Sequence, residues 1–139
     1  MLKDYENASF FFLLFFIKFN NLINGKVQKI KVKGRILCQG KPISFLNITL
    51  KEEDFFVDDI LDESLTDEGG NFKLHGTDNE IFDITPYIQF TYTCCEYFES
   101  CQHDTKVLFV PKNVISLSKY NTFYDFKNID YHKPLNIFN

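Results

Sequence analysis

The chain has 139 residues, 45% of them hydrophobic and 17% aromatic, with a formal net charge of −4. That is one domain's worth of chain, and no repeat, low-complexity run or interior linker suggests a second domain. The mild acidity excludes nucleic acid as partner, since binding there needs dense Lys and Arg to neutralise phosphates.

The first element is the unbroken apolar run Phe10 to Ile17, closed by Lys18 and followed by Asn20, Asn21 and Asn24-Gly25. A bilayer span takes roughly 20 apolar residues, so the run is too short to cross. It matches a signal-peptide h-region, and the expectation is a removed segment 1–25 and a mature domain 26–139. Lys3 before the run is opposed by Asp4 and Glu6; the competing reading is a buried amphipathic helix. Secretion makes the four cysteines, Cys38, Cys94, Cys95 and Cys101, candidate disulfide partners. Adjacent Cys94 and Cys95 would bond only through a strained turn. Cys94 with Cys101 is the expected pair, and the fate of Cys38 and Cys95 stays open. No Cys-x2-Cys knuckle or paired histidine spacing points to zinc.

Beyond residue 25 the dominant signal is alternation at period two. Ile30, Val32, Ile36 and Cys38 share one parity, and Lys29, Lys31, Lys33 and Arg35 the other, which predicts a half-buried strand with a basic outer face. After the turn Gln39-Gly40-Lys41-Pro42, the segment Ser44 to Lys51 turns Leu46, Ile48 and Leu50 inward and Asn47, Thr49 and Lys51 outward. The acidic stretch Glu52 to Glu68 reads as a long connection with one helical turn at Val57 to Glu63. Thr66 to Phe72 has the turn chemistry of a β-hairpin leading into a strand with Phe72 and Leu74. Further strands are expected at Tyr87 to Thr93, Lys106 to Val110, Tyr120 to Phe126 and Asn128 to Tyr131, punctuated by Pro86 and Pro111. The sum is an all-β chain: an antiparallel β-sandwich of seven to eight strands with at most one short helix.

One ordered series of residues is more specific than this periodicity. The run Gly34-Arg35-Ile36-Leu37-Cys38-Gln39-Gly40-Lys41-Pro42 is followed by Leu50-Lys51-Glu52-Glu53-Asp54 and Leu61-Asp62-Glu63, then Thr66-Asp67-Glu68-Gly69-Gly70-Asn71-Phe72. Pro86-Tyr87-Ile88, Phe90-Thr91-Tyr92, Cys94 and Cys101-Gln102 continue it. The series resembles the transthyretin-like family found chiefly in nematodes, over roughly Lys31 to Tyr131. The resemblance implies a small secreted prealbumin-like sandwich, extracellular or at the cell surface, that acts by non-catalytic recognition and needs no cofactor. Thyroid-hormone carriage is not implied. The family commonly has a glycine where Tyr124-Asp125-Phe126-Lys127 has Lys127, and often a cysteine near the C-terminus where Pro134 to Asn139 has none; Cys95 is extra beside the expected Cys94.

The related hydroxyisourate hydrolases use a His-Arg-His cluster and a Tyr-Arg-Gly-Ser tail. His75, His103 and His132 fall in none of the corresponding settings and the tail is missing, so the enzyme alternative is disfavoured. A dimeric carrier of an apolar small molecule is the other alternative. Candidate sites are few. Lys29, Lys31, Lys33 and Arg35 form a stripe suited to an anionic phospholipid surface, or to ordinary protection of a strand edge. Asp58, Asp59 and Asp62 are clustered carboxylates that lack the loop of an EF-hand, and a solvated loop is the preferred reading over Ca²⁺ binding. Asn47-Ile48-Thr49 is a glycosylation sequon with an outward Asn. Tyr97 and Phe98, between Cys94 and Cys101, are a candidate interface loop for an extracellular protein partner.

Overall fold

The computed structural model describes residues 10–16, 25–80, 82–95, 101–115 and 122–131. Its eight strands are β1 (Lys26–Cys38), β2 (Lys41–Pro42), β3 (Asn47–Glu52), β4 (Asp59–Leu65), β5 (Asn71–Glu80), β6 (Pro86–Cys95), β7 (Cys101–Phe109) and β8 (Tyr124–Tyr131). They form two sheets, β2-β1-β5 with β8 also on β1, and β4-β3-β6-β7. The all-β sandwich read from the alternation is the architecture observed.

The core lies where the two inward parities meet. Ile30, Val32 and Ile36 of β1 and Phe72 and Leu74 of β5 come from one sheet; Ile48 and Leu50 of β3 and Ile88, Phe90 and Tyr92 of β6 come from the other. All are at most 3% exposed. Burying an aliphatic or aromatic side chain of this size is worth about 1.5–3 kcal/mol, so this double layer is the main stabilising term. Two inward glycines fit the layers together. A Cβ on Gly76 would lie 2.5 Å from the Cβ of Leu61, and one on Gly34 would lie 2.9 Å from the Phe72 ring.

The β1–β2 connection is a tight two-residue turn: Leu37 and Cys38 pair with Pro42 and Lys41, and Gln39 and Gly40 both take positive φ, 52° and 75°. Three expectations need correction. The acidic stretch is not a connection with a helical turn: Asp59–Leu65 is strand β4, paired along β3 from Asn47↔Leu65 to Glu52↔Asp59. Its backbone takes the free edge of β3, and a charged edge strand resists pairing with a second molecule. Thr66 to Phe72 does turn, with Gly70 at φ 77° and its N–H donating to Asp67 O at 2.9 Å. It is not a hairpin, because β4 and β5 belong to different sheets and the turn carries the chain across the sandwich. The two last expected strands are one, β8, and it runs parallel to β1 rather than antiparallel. Residues 120 and 121 lie outside the described residues.

Residues 10–16 are helical, and every side chain there is exposed, from Leu14 at 39% to Phe11 at 71%. The helix contributes nothing to the core, unlike the buried amphipathic helix weighed above. No helix among the described residues is long and apolar enough to cross a membrane.

Candidate functional site

The outward parity of β1 places its basic stripe on the outer face of its sheet, and register extends that face across three strands. Lys29 lies opposite Thr77, Lys31 opposite His75, Lys33 opposite Lys73 and Arg35 opposite Asn71. On the other side of β1, Lys33 is paired with Asp125 and Arg35 with Asn128. The β1–β8 register begins only at Val32, so Lys33 and Arg35 are in mid-sheet with a neighbour on each side, which removes edge protection as their reason, whereas the register pairs Lys29 and Lys31 with β5 alone. Phe123, just before β8, lies over the face: the Lys31 and Lys73 ammonium groups sit 5.5 Å and 5.8 Å from its ring centroid. Cations over an aromatic ring are held by the ring's quadrupole.

Beside Phe123 a cleft of about 550 Å³ is lined by Lys33, Arg35, Lys73 and Lys127 with Asp67 and Asp125. Both acids are fixed by backbone. The Asn71 N–H, 2.8 Å from Asp67 Oδ1, holds that carboxyl below its ordinary pKa, and the Lys127 N–H, also at 2.8 Å, does the same for Asp125. Asp125 also faces Lys33 at 3.8 Å and Lys127 at 3.5 Å, and the Arg35 Nε donates to Gly69 O at 2.7 Å. Four cations against two tied carboxylates leave a net positive cleft suited to an anion.

The other predicted residues are scattered. His75 and His103 are exposed on β5 and β7, in opposite sheets, so no histidine cluster of hydrolase type forms from them; His132 lies outside the described residues. Asp58, Asp59 and Asp62 do not converge. Asp58 accepts from the Tyr87 hydroxyl; burial, with this hydrogen bond second, pushes the Tyr87 pKa up to about 12, and Asp62 accepts from the His75 backbone N–H. Asn47 is exposed, as its parity predicts, and its amide donates to Glu63. Tyr97 and Phe98 lie outside the described residues.

The expected Cys94–Cys101 pair is not the one formed. Cys38 is bonded to Cys94 and Cys95 to Cys101. Parity is the cause: Cys94 continues the inward row of Phe90 and Tyr92, 7% exposed, and meets Cys38 from the opposite sheet. Cys95 points outward and is directly opposite Cys101 in the β6–β7 register, whereas Cys94 lies opposite Gln102. The same alternation that placed Cys38 on the inner face contained this pairing; loop closure between near neighbours hid it.

A model of the transthyretin-like family matches residues 33–111. The chain belongs to the transthyretin-like family. Among relatives, Transthyretin-like protein 2 of Caenorhabditis elegans is 33% identical over 96 residues, covering 64% of each chain. Transthyretin-like protein 16 of the same species is 31% identical over 77% of this chain and 80% of its own, and Transthyretin-like protein 33 is 31% identical over 74% and 73%. The chain thus spans just under two thirds of the first relative. Among solved structures, a 9R-lipoxygenase from Cyanothece covers 75% of this chain and 16% of its own at a TM-score of 0.40 and 16% identity, too low to carry an argument.

Within this transthyretin-like sandwich the departure at Lys127 acquires a physical meaning. Phe126 and Lys127 together oppose the single residue Gly34, a bulge in the β1–β8 ladder, and Lys127 takes φ 62°. Glycine adopts that conformation without Cβ strain, and this transthyretin-like chain instead spends it on a fourth cation at the cleft.

Proposed function

We propose that this chain is a secreted, non-catalytic recognition protein that binds anionic phospholipid headgroups with the outer face of the β1–β5–β8 sheet. The observation that carries the reading is the gathering of Lys31, Lys33, Arg35 and Lys73 on one sheet face, with Lys31 and Lys73 over the Phe123 ring. A lysine or arginine at an anionic surface contributes about 1 kcal/mol, and an exposed aromatic ring is suited to the headgroup layer. The acidic remainder of the molecule, including β4, then orients the protein with this face toward the lipid. Vesicles of phosphatidylserine in phosphatidylcholine should bind the protein at low salt and release it at about 1 M salt, where the Debye length is about 3 Å. Reversing Lys31, Lys33 and Lys73 to Glu should weaken binding by at least about a hundredfold, at about 1 kcal/mol per cation. Unchanged binding by the folded triple variant refutes the lipid reading.

Secretion is supported by the exposed helical segment 10–16 and by the pairing of all four cysteines, which is characteristic of oxidising compartments. Protein recovered from the medium of expressing cells should have a mass beginning near residue 26, and a peptide containing Asn47 should carry a glycan. Retention of Met1 in the exported protein would remove the cleaved-segment reading.

A further inference from the structure

The inward parity that builds the core continues past it into charge. At the end of the sandwich where β1 and β6 begin, the next inward positions are Gln28 on β1, Asp78 and Glu80 on β5 and Glu52 on β3. Gln28 is 1% exposed and fully used: its amide donates to Phe82 O at 2.7 Å and accepts from the Ile84 N–H at 3.0 Å. The three carboxylates are not so provided. Glu52 is 5% exposed with one oxygen accepting from the Thr85 N–H at 3.3 Å. Asp78 Oδ1 accepts from the Asn79 N–H, while Asp78 Oδ2 is wholly enclosed and has no hydrogen-bond partner. One carboxylate oxygen from each of Glu52, Asp78 and Glu80 lies within 4.8 Å of the others. Among the described residues no ion pair includes any of the three, and the nearby Lys26 is bonded to Asp83 at 2.7 Å. Inward carboxylates this close together are costly without a counter-charge, and an unpartnered buried oxygen adds to that cost.

We propose that Glu52, Asp78 and Glu80 form a Ca²⁺ site that closes this end of the sandwich. Ca²⁺ is held by oxygens at about 2.3–2.6 Å, so oxygens sharing one ion lie at most about 5 Å apart, which the cluster satisfies. Its usual six to eight ligands are completed by the second oxygens of these carboxylates and by water. A cleft of about 830 Å³, lined also by Glu53, Asp54, Phe55 and Phe82, opens onto Glu52 and Glu80 and supplies both entry and solvent. Mg²⁺ fits less well, because it demands a near-ideal octahedron and gives up water reluctantly. The acidic residues singled out from sequence, Asp58, Asp59 and Asp62, are not part of this cluster. The site is also independent of the basic face.

The test is thermal unfolding of the EDTA-stripped full chain with and without Ca²⁺, together with calorimetric titration. At Ca²⁺ about tenfold above Kd the melting temperature should rise by about 5 °C, with one ion bound per chain. Glu52→Gln and Asp78→Asn, each keeping size and hydrogen bonding, should abolish the rise and melt above the stripped parent in EDTA, because each relieves the repulsion. Asp59→Asn, in the acidic stretch but outside the cluster, should retain the rise. The proposal is overturned if the parent neither binds nor shifts at about 10 mM Ca²⁺, a concentration beyond the weak extracellular range. It is equally overturned if Glu52→Gln or Asp78→Asn shifts as the parent does.

Discussion

The two ends of this sandwich are built in opposite ways. Where β1 and β6 finish, the inward positions are Cys38 and Cys94, joined covalently, and the Tyr131 ring stacks on Tyr92 at 4.0 Å with Phe90 at 6.1 Å. Burial, with the neighbouring Tyr92, pushes the Tyr131 pKa up to about 12, so this ring stays uncharged across the physiological range. Where the same strands start, the inward positions are Gln28, Glu52, Asp78 and Glu80. One end is closed by a bond and aromatic packing; the other presents charge to the interior. The lesson is that strand periodicity fixes only which face a residue occupies. Whether that position stabilises depends on what the facing sheet offers it.

The comparison is tested most strongly at the closed end. Replacing Cys38 and Cys94 by Ala should cost about 4 kcal/mol on the loop-closure estimate, because their separation of 56 residues ties a long loop in the unfolded chain. Removing Cys95 and Cys101, with a separation of 6, should cost only about 2 kcal/mol, read as midpoints of urea unfolding. If the two double variants lose equal stability, the closed end is not held by the inter-sheet bond.

The smallest effect is a pH dependence in the turn between β4 and β5, also at the closed end. Asp67 has its pKa lowered by the Asn71 backbone N–H, so it stabilises the fold above its unfolded pKa and loses that contribution as pH falls through the lower folded value. Asp67→Asn should lower stability modestly at pH 7, where the ionised carboxylate contributes, and flatten its decline below about pH 4. An unaltered acid limb would mean that the turn is held by its backbone alone.

Much of this was legible in the residues. The alternation of Ile30, Val32 and Ile36 against Lys29, Lys31, Lys33 and Arg35 needs only the period of a strand, and both the buried row and the basic face follow from it. The outward Asn47 follows in the same way. Strand β4 was not legible, because Asp59, Asp62 and Glu63 have poor strand propensity and are extended only by the backbone ladder of β3. Proximity in sequence favours Cys94 with Cys101, but the strand parity that turns Cys94 inward and Cys95 outward decides the pairing.

What the sequence determined by itself is local: which residues alternate, where glycines permit a turn, and the ordered series that marks the transthyretin-like family. What only the tertiary structure decided is which faces meet. β8 lies parallel to β1 and lays Phe123 over the lysines; β5 crosses to the other sheet and brings Asp78 and Glu80 within reach of Glu52. Such contacts join residues tens of positions apart, and no local pattern encodes them, because they depend on how two sheets pack rather than on how one strand is written.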